Sequence, residues 1–96
     1  MLNKENQELC WDVLAAYGIN RQLMMVVEEC SELQKVICKM FRDGTEHHKE
    51  NFAEELVDVI VMCEEMCLAY GVDQDELNER AHNKLIRALK NKEVSK

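Results

Sequence analysis

Proline is absent from this chain of 96 residues and glycine occurs only three times, so little in it can interrupt a helix except Gly18, Gly44 and Gly71. Strand-like alternation, internal repeats and low-complexity segments are also missing, which leaves helices as the regular structure. No apolar run reaches the roughly 18 residues of a membrane-spanning helix, so no membrane association is expected. Cations are the minority charge. Twelve Lys and Arg against nineteen Asp and Glu leave a formal net charge of −7, which argues against nucleic acid as a partner, because affinity for its backbone rests on clustered Lys and Arg. Nucleotides stay open, since divalent cations can reverse the sign of an acidic site. The five cysteines form no Cys-x-x-Cys pair, so paired-thiolate zinc has no foothold. Their odd number and positions in apolar stripes describe small free hydrophobes, Cys63 and Cys67 included. Met1 to Gln7 are polar and lack the apolar core of a secretory signal, so the expected compartment is the cytoplasm.

What the chain does contain is 47% hydrophobic and 32% charged residues, the balance of one globular domain over residues 1–96. A chain of that size buries only about two-thirds of its unfolded surface, which makes further burial by homo-oligomerisation an expectation. The glycines divide it into four helices, about Asn3 to Tyr17, Asn20 to Arg42, His48 to Tyr70, and from an Asp73–Glu76 capping box to about Asn91. Residues 91–96 are expected to fray. The third helix reads as apolar on nearly every face, beyond what one short chain can cover.

Two acidic signatures carry the chemistry. Glu28-Glu29-Cys30-Ser31-Glu32 lies in the second helix, and Glu55-Leu56-Val57-Asp58 opens the apolar part of the third. Each places two carboxylates three residues apart, on one helix face about a turn apart, able to grip one cation. Asp58 is the one polar side chain between Leu56 and Cys63, and an ionised carboxylate buried there would need a partner or a metal. Glu29 and Glu32 share a row with Met25, Val36 and Met40, whereas Glu28 lies in line with Arg21, Met24, Ser31 and Lys35. Glu29, Glu32, Glu55 and Asp58 are therefore the candidate ligands, and Glu28 an outer or water-activating group. The short connection from Asp43 to His47 makes the two helices an antiparallel hairpin, in which facing residue numbers add to about 90. Glu32 with Asp58 gives 90, and Glu29 with Asp58 and Glu32 with Glu55 both give 87, all within about one helical turn of the same level, so both acidic pairs should converge.

Four carboxylates without cysteine or histidine make a hard oxygen site, suited to Mg²⁺, with Mn²⁺ as a substitute. Magnesium commonly meets substrate phosphates. One cation can bridge phosphate oxygens while another activates water, with a neighbouring Glu accepting its proton, which is the chemistry of phosphoanhydride hydrolysis. On the fourth helix, Arg80, Lys84 and Arg87 form a basic row beside an apolar face of Leu77, Ala81, Leu85, Ala88 and Leu89. A basic row near metal-bound carboxylates suits phosphate; spacing alone describes a solvated row. A di-iron site would need a second Glu-x-x-His besides Glu79-Arg-Ala-His82, and His47 and His48 fall in the loop. A third alternative is a non-enzymatic helical interaction module with structural carboxylates. Trp11, off the Cys10, Val13, Leu14 and Tyr17 stripe, could stack on a base or serve a subunit interface.

Glu28-Glu29-x-x-Glu32 followed by Glu55-x-x-Asp58 resembles the EExxE and ExxD signature of the MazG-like all-α nucleoside triphosphate pyrophosphohydrolases, which include dimeric dUTPases and dCTP pyrophosphatases. Gly18-Ile-Asn-Arg-Gln22-Leu-Met-Met-Val-Val-Glu-Glu and Lys84-Leu-Ile-Arg87 also resemble small single-domain members, so the likeness spans about residues 17 to 90. It implies an all-α four-helix MazG-like bundle completed by homo-oligomerisation, as a homodimer or homotetramer. It also implies a Mg²⁺-dependent hydrolase that takes a nucleoside triphosphate to the monophosphate and pyrophosphate, in nucleotide-pool house-cleaning. By the motif match Glu29, Glu32, Glu55 and Asp58 would hold metal, Glu28 would assist with metal or water, and Lys84 and Arg87 would contact phosphate. The departure is a short first segment, which leaves little sequence for a dedicated base pocket.

Overall fold

A computed structural model describes residues 1–95, with side chains through Lys92. Its elements are α1 (Lys4–Tyr17), α2 (Ile19–Asp43), a 3₁₀ turn (Thr45–His47), α3 (Lys49–Ala69) and α4 (Gln74–Ser95). Most helix ends fall within a residue or two of those expected; α4 continues past Asn91 to Ser95. Lys96 and the side chains beyond Lys92 lie outside the described residues, and the expected fraying of the tail falls largely on them.

Local chemistry accounts for the boundaries. The Asn3 side chain accepts from the Asn6 amide at 2.9 Å and so caps α1. Gly18 and Gly44 end α1 and α2 at φ 86°, ψ 154° and φ 96°, ψ 147°, a region that a Cβ all but forbids. Their amides donate to Leu14 and Met40 carbonyls at 2.8 and 2.9 Å. α3 closes with the Val72 amide donating to the Cys67 carbonyl at 2.8 Å across Gly71, the Schellman bond. The Asp73 carbonyl accepts from Leu77 at 2.9 Å, but Glu76 turns to Arg80, accepting at 2.8 Å, instead of reaching back as a capping box requires.

α2 and α3 form the expected antiparallel hairpin, and α1 packs chiefly on α3 and more lightly on α2. Among the described residues, α4 packs along none of the other helices; at its start the Met1 amino group donates to Gln74 Oε1. The radius of gyration, 16.2 Å, exceeds the roughly 12.5 Å of a compact chain of this length. The buried apolar side chains are few: Cys10 and Leu14 on α1 and Val36 on α2. α3 is covered on two sides only, so Leu56 and Val57 are exposed. Asp58 is exposed as well, and its expected burial does not hold within one chain. All five cysteines are free, Cys10 buried and Cys38 exposed. No helix among the described residues is long and apolar enough to cross a membrane.

Candidate metal centre

The register of the hairpin decides which carboxylates meet. Gln22, Glu29 and Val36 are seven residues apart on α2, a spacing that keeps them on one face; Gln22 and Val36 are buried and Glu29 half-buried. On α3, Asp58 and Glu65 stand in the same relation. Gln22 Nε2 donates to Glu65 Oε1 across the seam at 2.8 Å. Two turns along, about 10.5 Å, Glu29 lies against Asp58, close enough for a hydrogen bond between the carboxyls. Residue numbers add to 87 in both pairs, so of the expected pairings it is Glu29 with Asp58 that forms. At that register Glu32 is level with Glu55, yet it is exposed and outside the trio, and its Oε1 accepts from Lys35 Nζ at 3.3 Å.

Glu29, Glu55 and Asp58 each bring one carboxylate oxygen within 4.8 Å of the others. Metal–oxygen bonds of about 2.1–2.5 Å place two oxygens on one hard cation up to roughly 4–5 Å apart, so the trio matches the span of a single ion. Two further features mark a deficit of positive charge. Partial burial, then the charges of Asp58 and Glu55, a hydrogen bond with Asp58 and the more distant Glu32, together raise the Glu29 carboxyl above its ordinary range. Glu55 Oε2 is buried without a hydrogen-bond partner, and a buried acceptor left so is costly. A bound divalent cation answers both. Donor set and span fit Mg²⁺ or Mn²⁺; among the described residues, no histidine or cysteine joins the group.

The other expected residues lie elsewhere. Glu28 is exposed, one position from Glu29 and outside the trio. Lys84 and Arg87 are exposed on α4, which among the described residues packs along neither helix bearing the carboxylates. Trp11 is half exposed on α1, and the α1–α3 cleft of about 250 Å³ is lined by Leu9, Cys10 and Val13 rather than by the indole. His82, half of the Glu-x-x-His match, also belongs to α4. His48 is drawn out of the solvent by Asp43, with Nε2 and Oδ2 3.1 Å apart. Arg42, and after it His48, hold Asp43 down to about 2.

Sequence reasoning missed Glu64 and Glu65, the fully buried side chains of the hairpin. Glu64 Oε1 accepts from Gln7 Nε2 at 2.9 Å, and its Oε2 is 3.6 Å from the Met1 amino group. Oε2 of each glutamate has no hydrogen-bond partner. The signal was present: two acids interrupt the apolar run of α3, and Gln22 sits one heptad before Glu29, where a core position calls for an apolar residue. Nearby Cys10 feels them, its thiol pushed up by burial first and then by Glu65 and Glu64. Comparison with protein-family models, with curated proteins and with solved structures finds no match.

Proposed function

We propose that this protein is a Mg²⁺-dependent nucleoside triphosphate pyrophosphohydrolase of the MazG-like kind, working as a homo-oligomer to clear or balance nucleotides. The observation that carries the reading is the Glu29, Glu55 and Asp58 trio, with donor atoms within 4.8 Å of one another and a buried Glu55 oxygen left without a partner. These three side chains would hold the metal, and bound Mg²⁺ supplies charge neutralisation for the phosphates together with activation of water. The acidic hairpin by itself repels a triphosphate, so substrate entry depends on that neutralisation. Water attacks the α-phosphorus, its oxygen forms the new P–O bond, and the bond to the bridging oxygen of the β-phosphate breaks, giving monophosphate and pyrophosphate. Glu28, exposed and outside the trio, accepts the proton; Glu29 is the second acceptor. Glu32 is placed to bias the local charge from outside the trio.

The resemblance of Glu28-Glu29-x-x-Glu32 and Glu55-x-x-Asp58 to the pyrophosphohydrolase signature supports the same reading. The test is a panel of canonical and modified nucleoside triphosphates, with Mg²⁺ or EDTA, and products identified by chromatography. Monophosphate plus pyrophosphate, lost in EDTA, is the expected result. Metal-loaded protein with no turnover across the panel would favour the second reading, a helical interaction module. The observation behind that second reading is the exposed apolar face of α4, with Leu85 65% and Leu89 61% accessible.

A further inference from the structure

We propose that the cleft between α1 and α3 is a binding site for a small organic amine in its ammonium form. The charged nitrogen donates to Glu65, and the hydrocarbon body rests on Leu9, Val13, Val57 and Val61. This site is separate from the trio, and its ligand is not the nucleotide. Val57 and Asp58 are neighbours on α3, but adjacent side chains on a helix point about 100° apart. Val57 therefore lines the α1 side of α3 while Asp58 meets Glu29 of α2.

The cleft has the size and the walls for such a ligand. Its volume of about 250 Å³ exceeds the roughly 150 Å³ that suffices for benzene, so a single ring bearing an aminomethyl group fits. Leu9, Cys10 and Val13 form the α1 wall, and Val57 and Val61 the α3 wall. Val57, Val61 and Glu65 follow one another at intervals of four residues, a strip about 12 Å long down one side of α3. Leu9 and Val57 are 54% and 55% accessible, apolar surface that a ligand would take out of water.

At the end of that strip stands an incomplete polar group. Glu65 is the one charged residue among those lining the cleft, and it is fully buried. Gln22 Nε2 occupies its Oε1 at 2.8 Å, whereas its Oε2 has no hydrogen-bond partner. Among the described residues, no Lys, Arg or His forms an ion pair with it. Its charge reaches the cleft wall, where the Cys10 thiol is pushed up by burial first, then by Glu65 and after it Glu64.

Those features select the chemistry of the ligand. A buried carboxylate oxygen without a donor is costly, and a purely apolar guest would leave it so. An anion is repelled. A divalent cation wants several oxygen ligands, and Glu65 is the one carboxylate on the lining. An alkylammonium or arylalkylammonium supplies both a charged donor for Oε2 and hydrocarbon for the valine and leucine walls. Asn6, on the same lining, offers an acceptor for a second ammonium hydrogen.

The test uses the intact protein in Mg²⁺ with benzylamine as the probe, and benzyl alcohol as its uncharged counterpart. Binding is read from the NMR shifts of the Leu9, Val13, Val57 and Val61 methyl groups. Benzylamine should move all four together and saturably, and benzyl alcohol should bind at least about tenfold more weakly. Glu65→Gln keeps the side-chain shape and an acceptor for Gln22, and should weaken benzylamine at least about tenfold with benzyl alcohol unchanged. Val13→Phe fills the cleft from the α1 wall and should abolish binding, which keeps the site testable if Glu65→Gln does not fold. Asp58→Asn should leave benzylamine binding as it was. The proposal is overturned by methyl groups that do not respond, as when a second copy covers the cleft. It is equally overturned by equal affinity for the amine and the alcohol, by unchanged amine binding in folded Glu65→Gln, or by loss of binding in Asp58→Asn. Nucleotide turnover, present or absent, bears on the trio alone.

Discussion

The α2–α3 seam and α4 both carry apolar side chains at helical spacing, yet the chain treats them in opposite ways. Along the seam, heptad-spaced residues interlock into rungs, Gln22 with Glu65 at 2.8 Å and Glu29 against Asp58. Along α4, the apolar row from Leu77 to Leu89 ends with leucines more than 60% accessible. The difference teaches that a helical period announces a face to be covered and says nothing of what covers it. The seam's partner is 87 minus the residue number on the same chain; α4 has no such partner among the described residues.

The comparison can be tested hardest at Asp58. Asp58→Asn should lower kcat/KM by at least about 100-fold while circular dichroism and oligomer size stay unchanged; full activity would remove the trio from the mechanism. Glu29→Gln should match that loss and Glu32→Gln should fall well short of it, because Glu32 faces Lys35 rather than the other acids. Equal losses at Glu29 and Glu32 would mean that the hairpin works in the register of 90. Core and α4 are contrasted by truncation in dilute, dissociated protein. Leu14→Ala should destabilise by about 2–5 kcal/mol, whereas Leu85→Ala should change stability by no more than about 0.5 kcal/mol, both read from denaturant melts. A large effect at Leu85 under those conditions would show that α4 docks within its own chain.

The polar rung offers a smaller, sharper test. Gln22→Leu leaves buried Glu65 without its donor and should cost about 1–3 kcal/mol, seen as a fall in Tm. The double variant Gln22→Leu with Glu65→Leu should regain most of that loss, and a double variant as unstable as the single would show that Glu65 is held by more than Gln22. The smallest effect is expected at the hairpin tip. Asp43, held down to about 2 against an ordinary value near 3.9, contributes stability above that ordinary value and loses it as pH falls toward 2. The Tm gap between wild type and Asp43→Asn should therefore narrow on acidification below about pH 4; a gap that stays constant would place the Arg42 and His48 contacts outside the stability of the folded state.

Much of this was legible in the chain itself. Gly18 and Gly44 marked helix ends because their φ and ψ are closed to other residues, and the short Asp43 to His47 link forced α2 and α3 to be antiparallel. Glu29, Glu55 and Asp58 could be nominated together from spacing. Glu32 could not be told from Glu29, since a three-residue shift in hairpin register exchanges their roles and the centre of a loop is known only to within that margin. Glu64 and Glu65 escaped notice because an acid pair on a helix ordinarily faces water. Their burial depends on Gln7 and Gln22 arriving from two other helices, and no local pattern in α3 reports that.

By itself, then, the sequence determined an all-helical chain of four segments, their approximate ends and polarity, and two pairs of acids on facing helices, because caps, period and loop length are local properties. Only the tertiary structure decided which acids converge, which glutamates are sealed in the hairpin and that, among the described residues, α4 packs along no other helix. Those depend on register and on the area that one helix can offer another, quantities that exist only once the helices have met.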